Sequence, residues 1–172
     1  HDDYRVGELN KGFQYIAEAL DIERFTMFTF SPIRGRTELL CDYVRDTVRD
    51  GKPLKGDPVI RQKVAQLVTE CEVARLLGVR FVDAALTAGK TPTIEASEYK
   101  LYATELSRRL ADATMDIAGP GTQLALGTED APLKGRAESC YTYTVIDTIG
   151  GGSSEVQKNI IAKRKLDLPK NF

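Results

Sequence analysis

Glu23 is the residue of this sequence best placed to do acid–base chemistry. Apolar residues recur at steps of three and four between residues 9 and 30, and this spacing predicts a single face of one helix. The stripe consists of Leu9, Phe13, Ile16, Leu20, Met27 and Phe30, and Glu23 fills the gap in it. A carboxylate on a core-facing stripe costs free energy unless it is paired, and burial raises the pKa of a carboxylate toward that of a useful general base. A structural interpretation stays open, in which Glu23 lies at the stripe's edge and pairs with Arg24 or Arg45.

The composition excludes several classes of site. The 172 residues suffice for one domain with a core, and a net charge of −1 gives no reason to expect a nucleic-acid or membrane partner. No apolar run is long enough to cross a bilayer, and we expect no signal peptide. Cys41, Cys71 and Cys140 are unevenly spaced, which favours a reducing, cytoplasmic compartment and buried thiols. Because His1 is the only histidine, we expect no catalytic triad and no metal site here.

The periodicity predicts an all-α fold, an up-down four-helix bundle with an extra short helix. Asn10 is the predicted N-cap of a first helix that reaches Phe30, and Pro32 marks a break or kink. A second helical stretch ends at Gly51-Lys52-Pro53, and Asp57-Pro58 opens a third that Gly89 closes. The remaining predicted helices begin near Thr91-Pro92-Thr93, residue 136 and residue 153. Gly119-Pro120-Gly121 stops the fourth.

Three glycines before a serine-capped helix form the second candidate feature. In Gly150 to Ser154, glycine lets a ligand approach the backbone, and free N–H groups at a helix start attract a phosphate or an electron-rich ring. The alternative is a flexible interhelical turn with a good cap.

Several segments together resemble the C-terminal helical domain of acyl-CoA dehydrogenases. Residues 5–13 (RVGELNKGF) resemble the crossing from that family's β domain into this one. Residues 20–24 (LDIER) are similar to the isovaleryl and long-chain branches, and residues 150–163 (GGGSSEVQKNIIAK) resemble the family's flavin-side motif. The resemblance implies that residues 1–8 end a preceding β domain or linker and that residues 9–172 form the helical domain.

The resemblance also implies a reaction and its residues. Family members desaturate an acyl-CoA thioester with FAD and pass electrons to an electron-transfer flavoprotein. By resemblance Glu23 is the base that removes the α proton, since other branches place the base where Gly151 stands here. The Gly151 N–H would help to hold the thioester carbonyl, and the positions of Asp21 and Arg24 lie near the CoA arm. The flavin contacts implied are Gly152, Ser153 and Glu155.

The sequence departs from the family where a neighbouring subunit's FAD is bound. Thr47 occupies the position where the family has an arginine. Asp50 replaces the family's phenylalanine, and Met115 replaces its glutamine. Arg45 and Arg49 are nearby substitutes that point elsewhere on a helix. These losses predict a heteromer with a paralogous subunit and fewer flavins than subunits, as in actinobacterial dehydrogenases of steroid side-chain CoA esters, which this arrangement resembles. A homotetramer is the other option.

A second function class stays open. The chain could be a helical assembly module that packs against an active paralogue and does no chemistry, which Thr47 and Met115 favour and Glu23 opposes. A cytokine-like or ferritin-like bundle is a remote third, because ferritin-like sites need Glu-x-x-His pairs.

Overall fold

Helices account for most of the computed structural model, which describes residues 2–27, 30–89 and 92–169. The helices are α1 (Gly12–Met27), α2 (Phe30–Asp46), α3 (Pro58–Ala88), α4 (Thr93–Ala118), α5 (Arg136–Asp147) and α6 (Ser154–Arg164). Short 3-10 turns cover Asp2–Tyr4, Leu54–Gly56, Pro120–Gln123 and Pro132–Gly135. The predicted all-α bundle is confirmed. Residues 28 and 29, inside the predicted first helix, and Thr91, near the predicted start of the fourth, lie outside the described residues.

The ends of α3 follow directly from its sequence signals. The Asp57 side chain accepts hydrogen bonds from the N–H groups of Val59 (2.8 Å) and Ile60 (3.2 Å), which have no partner inside the helix. Pro58 is the first helical residue, and Gly89 closes the helix in the left-handed conformation with φ 61°. The predicted boundaries of this 31-residue helix are therefore confirmed.

Helix α4 is the centre of the bundle and packs against α1, α3, α5 and α6. Ion pairs show that α3 and α4 run antiparallel, since the contacts advance along one helix as they recede along the other. They are Arg80–Glu98 (3.3 Å), Glu70–Arg109 (2.6 Å) and Lys63–Asp116 (3.4 Å). The apolar residues buried between α2, α3 and α4 are Ile33, Leu40, Val44, Leu67, Cys71, Ala74, Tyr99, Ala103, Leu106, Leu110 and Ile117.

The connection from α2 to α3 contains a small hairpin. Strands β1 (Val48–Arg49) and β2 (Lys52–Pro53) pair antiparallel around Asp50 and Gly51, both of which have positive φ. Val48, placed on the apolar face of the second helix by its spacing, is exposed in β1. Two-residue strands are too short to give the alternation by which a strand is recognised from sequence.

The first helix begins two residues later than predicted. Asn10 has φ 66° and does not cap a helix, because α1 begins at Gly12. The described residues of α1 run to Met27, and those of α2 run from Phe30. Pro32 lies in the first turn of α2 and makes no kink there, since the first N–H groups of a helix have no partner to lose. The predicted start of this helix at Asn10 is wrong, and the predicted continuity up to Phe30 depends on residues 28 and 29, which lie outside the described residues.

The predicted core-facing stripe of α1 is also wrong. Phe13 is 85% exposed, and Leu9, Ile16 and Leu20 are exposed as well. The face of α1 that packs inward carries Phe25 instead, whose ring stacks on Phe81 at 4.0 Å between centroids. A helical period shows which residues share a face and does not show which neighbour covers it. Two apolar residues of other helices, Ala85 in α3 and Val156 in α6, are exposed as well.

The three cysteines are free thiols, of which Cys71 is buried and Cys41 and Cys140 are partly buried. Over the described ranges, no group of three or more His, Cys, Asp or Glu side chains could hold a metal ion. No helix in the described part of the chain is long and apolar enough to span a bilayer.

Candidate active site

Glu23 lies in the last turn and a half of α1 and is half-buried. The stripe does not face the core at the residues that precede Glu23, because Leu9, Phe13, Ile16 and Leu20 are exposed. The structural interpretation paired Glu23 with Arg24 or Arg45. Arg24 forms an ion pair with Asp21, and Arg45 forms ion pairs with Asp42 and Asp46.

Asp21 and Arg24 form an ion pair one turn apart on the inward side of α1. Both side chains are mostly buried, with 12% and 14% of their surfaces exposed. The second carboxylate oxygen of Asp21 accepts a hydrogen bond from the Thr93 hydroxyl at 2.5 Å, at the start of α4. Asp21 therefore orients Arg24 and ties α1 to α4. Its predicted place beside the CoA arm stays a prediction.

Arg24 connects α1 to the glycine turn before α6. Its Nε donates to the carbonyl oxygen of Gly151 at 3.2 Å. The side-chain amide of Gln157, one turn into α6, donates to the carbonyls of Gly151 (2.9 Å) and Gly152 (3.2 Å). The Lys100 ammonium on α4 donates to the Gly152 carbonyl at 2.8 Å. Two successive carbonyls of the turn are thus held by side chains from three helices.

The start of α6 is a well-formed helix N-terminus. Ser153 is the N-cap, and its hydroxyl accepts from the Val156 N–H at 3.4 Å. The exposed Glu155 carboxylate lies in the first turn, where its own backbone N–H and the Ser153 hydroxyl lower its pKa. Ser154 is buried and its hydroxyl donates to Glu105 of α4 at 2.6 Å, which fixes the helix start against the bundle. The predicted serine cap is confirmed.

A second set of polar side chains inside the bundle surrounds Ser107 of α4. Ser107 accepts from Arg36 (2.9 Å) and donates to the buried Asp147 carboxylate (3.0 Å), which joins α2, α4 and α5. Burial raises the pKa of Asp147, while the Ser107 hydrogen bond and the charges of Arg36 and Lys100 oppose the rise. Burial lowers the pKa of Lys100, and Asp147 and Glu105 oppose that shift.

Sequence reasoning missed Lys100 and Gln157, both of which are fully buried. For Lys100 a signal was available. It lies four residues after the buried Ala96 and four before the buried Thr104, on the core face of α4. A lysine on such a face is unusual enough to mark a site. Gln157 gave no such signal, because α6 lacks a clear apolar stripe.

The structure therefore brings together five of the seven residues proposed for the site from sequence. Asp21, Arg24, Gly151, Gly152 and Ser153 are linked by direct hydrogen bonds or chain continuity, and Glu155 follows in the same helix start. Glu23 adjoins Arg24 in the chain, and its part in catalysis stays a prediction.

Comparison with known proteins identifies the family. Residues 10–166 match the profile of the acyl-CoA dehydrogenase C-terminal domain. The chain belongs to that family. It is 29% identical to acyl-CoA dehydrogenase FadE26 of Mycobacterium tuberculosis over 96% of this chain and 42% of the relative. It is 33% identical to acyl-CoA dehydrogenase IpdE1 of the same organism over 98% of this chain and 41% of the relative.

The fold is shared with an assembly of two different proteins. A chain of the ChsE4-ChsE5 complex from Mycobacterium tuberculosis matches with a TM-score of 0.84 and 29% identity, over 98% of this chain and 43% of that one. This acyl-CoA dehydrogenase domain thus spans about two fifths of the length of the relatives it matches.

The region of the domain that departs from the family's sequence pattern has its own internal contacts. Arg49 in β1 donates to the Ile117 carbonyl at 2.5 Å, near the end of α4. Its guanidinium also lies beside Gly119. Arg45 pairs with Asp42 and Asp46 on the surface of α2. Arg45 and Arg49 are the two arginines near Thr47, where the family has an arginine. Both already make contacts within this chain.

Proposed function

We propose that the chain is the C-terminal helical domain of an FAD-dependent acyl-CoA dehydrogenase in which Glu23 is the base. The reaction is α,β-desaturation of an acyl-CoA thioester. The observation that carries the proposal is the hydrogen bond from Arg24 to the Gly151 carbonyl, since it ties the helix of Glu23 to the turn that resembles the flavin-side motif. Residues 1–8 would end a preceding β domain or linker, and residues 9–172 would form this domain.

The glycine turn has the chemistry that a flavin and a thioester carbonyl require. No side chain projects from residues 150–152, so a planar ring or a carbonyl can approach the backbone closely. The carbonyls of Gly151 and Gly152 face the bundle, where Arg24, Lys100 and Gln157 hold them. The positive end of the α6 dipole lies beside the turn and favours electron-rich groups. Gly152, Ser153 and Glu155 would hold FAD.

In the reaction a proton leaves the α carbon, a hydride leaves the β carbon and a carbon–carbon double bond forms between them. Bound FAD supplies the hydride acceptor. The Glu23 carboxylate takes the α proton and becomes a neutral acid. The Gly151 N–H donates to the thioester carbonyl, which makes the α proton more acidic, and Arg24 and Asp21 position the turn and the CoA arm. An electron-transfer flavoprotein would then reoxidise the enzyme.

The exposed stripe of α1 supports the view that further chain covers this domain. Leu9, Phe13, Ile16 and Leu20 line one face of α1 and its approach, and apolar surface of this kind marks an interface. The relatives are more than twice as long as this chain, which leaves room for domains that would pack on the stripe and build the rest of the pocket.

We further propose a heteromer, in which a paralogous subunit supplies the arginine and glutamine that reach a neighbour's FAD. Thr47 and Met115 cannot make those contacts, and the Arg49 guanidinium already donates to the Ile117 carbonyl near the end of α4. Native mass spectrometry of the complex should give fewer flavins than subunits. One tightly bound flavin per chain in the full-length protein purified alone would contradict the heteromer.

The base is tested by anaerobic bleaching of the flavin. The full-length protein with its partner is mixed with straight-chain, branched or steroid side-chain acyl-CoA esters, and the visible flavin band is followed. Wild type should bleach and Glu23→Gln should not, while Glu18→Gln, an exposed carboxylate on the same helix, should bleach like wild type. Equal bleaching of wild type and Glu23→Gln would favour the alternative, an assembly module whose partner does the chemistry.

A further inference from the structure

The strongest unassigned feature of the chain is a fully buried lysine that holds a backbone carbonyl. Lys100 has no exposed surface, although lysine is among the residues least often buried. Its ammonium donates to the Gly152 carbonyl at 2.8 Å, across from α4 to the turn before α6. An apolar side chain would fill this position at lower cost in desolvation. The contact therefore points to a task at the turn.

The geometry of the peptide units shows what this contact fixes. A trans peptide is planar, so its C=O and N–H point to opposite sides. The Gly151 carbonyl is held by Arg24 and Gln157, and the Gly152 carbonyl by Lys100 and Gln157. The N–H groups of the same two units belong to Gly152 and Ser153. They must therefore point away from the bundle.

Those two N–H groups are left available for a ligand. Among the described residues, neither the Gly152 nor the Ser153 N–H donates to a protein acceptor. Both stand at the start of α6, whose dipole reinforces donation to an electron-rich atom.

The side-chain amide of Gln157 is oriented to donate to the two turn carbonyls, and its own oxygen is left without a donor. Its nitrogen donates to both Gly151 and Gly152, while its Oε1 is buried and has no hydrogen-bond partner among the described residues. Rotating the amide would satisfy Oε1 only by removing the donor from both carbonyls. The turn also depends on this packing, since a Cβ on Gly152 would lie 2.7 Å from the amide nitrogen.

We propose that Lys100 is a positioning residue. With Gln157 it keeps the Gly152 and Ser153 N–H groups turned toward the flavin, and it thereby fixes the adjoining Gly151 N–H, the donor to the acyl thioester. The inference rests on the proposed function, because that function supplies the ligand on the outer side of the turn. Lys100 acts through the backbone of the turn and touches neither reacting group. Removing it lets the 152–153 peptide rotate, which misaligns donors without emptying the pocket.

The test compares Lys100→Met with Thr104→Val in the full-length protein with its partner. Methionine keeps the length of the side chain and removes the donor. Thr104 is equally buried, one turn further along α4, and its hydroxyl donates to the Lys100 carbonyl rather than to the turn. The ligand is an aryl-substituted acryloyl-CoA, whose absorption band moves to longer wavelength when its thioester carbonyl accepts hydrogen bonds.

Wild type and Thr104→Val should shift the band fully. Lys100→Met should bind the ligand and keep its flavin, but it should give a smaller shift and a kcat per flavin lower by about 10–100-fold, since lost donors to a developing oxyanion have effects of this order or larger. A purely structural role would lower thermal stability and leave the shift per bound ligand unchanged. If Lys100→Met does not fold, Gln157→Met is measured in the same way.

A full band shift with kcat per flavin within about twofold of wild type, in Lys100→Met or its substitute, overturns this inference alone. A wild-type protein that neither shifts the band nor bleaches with any acyl-CoA ester overturns the proposed function, and the inference falls with it.

Discussion

The Nε of Arg24 donates to the carbonyl oxygen of Gly151 at 3.2 Å, although the two residues are 127 positions apart in the chain. The same guanidinium pairs with Asp21 through Nη1. One side chain thus joins the end of α1 to the turn before α6 while it neutralises a buried carboxylate. The relative positions of Glu23 and the glycine turn depend on this connection.

Replacing Arg24 by lysine should separate these two contacts. A lysine keeps a positive charge beside Asp21, but one ammonium cannot occupy both donor positions of the guanidinium fork. We expect Arg24→Lys to fold and to lose about tenfold or more in kcat/KM, because small misplacements of positioned groups have effects of this size. The control is Arg34→Lys, since Arg34 makes an exposed pair with Glu38. The measurement is steady-state kinetics with an acyl-CoA substrate. Equal kcat/KM values for Arg24→Lys and Arg34→Lys would contradict the role of Arg24.

Adding a methyl group to Gly152 should disrupt the turn. Gly152 has φ +94°, where other residues are strained, and a Cβ would meet the Gln157 amide at 2.7 Å. We expect Gly152→Ala to lower the free energy of unfolding by about 1–3 kcal/mol and to reduce the bound flavin. Gly35→Ala in α2, where a Cβ meets nothing within 4 Å, should be neutral or stabilising by roughly 0.5–1 kcal/mol.

Urea unfolding and flavin absorbance per chain measure both effects. If Gly152→Ala unfolds at the same urea concentration as wild type with full flavin, the backbone at this position is not under the constraint described.

The buried Asp147 should make stability depend on pH in a defined direction. Burial raises its pKa above the ordinary value of about 3.9, so the folded state binds a proton more tightly than the unfolded state. Its contribution to stability is fully present below the unfolded pKa and is lost as the pH rises through the folded pKa. Relative to wild type, Asp147→Asn should therefore gain stability as the pH rises from about 4 to 7. Urea unfolding of both proteins across this range tests it, and parallel curves would contradict the raised pKa.

Cys41 should react slowly with alkylating reagents near neutral pH. Burial and then the neighbouring Asp42 carboxylate raise the pKa of its thiol, so less of the reactive thiolate is present at pH 8. We expect slower iodoacetamide labelling than for a free thiol, and a rate that still rises above pH 9. Asp42→Asn should label faster, because it removes a negative charge and releases Arg45 from its pair. Peptide mass spectrometry with Cys41→Ser as the reference measures the rate, and labelling as fast as glutathione would contradict it.

Local signals predicted the ends of several helices because the interactions that define them are local. Asp57, Pro58 and Gly89 set the limits of α3, and Ser153 caps α6, each through hydrogen bonds or φ values within a few residues. The resemblance in residues 20–24 and 150–163 gave the family correctly. The apolar stripe of α1 gave a wrong prediction of its buried face, since periodicity does not distinguish a face that packs on α4 from one that is exposed in this domain.

The sequence by itself determined the all-α class, the caps of α3 and α6 and the family, because these follow from neighbours in the chain and from shared motifs. The tertiary structure alone decided which face of α1 is buried, and it brought Asp21 to Thr93, Arg24 to Gly151 and Lys100 to Gly152. Each of these contacts joins residues more than 50 positions apart. Their formation depends on how α1, α4 and α6 pack together, and the spacing of residues within one helix does not determine that packing.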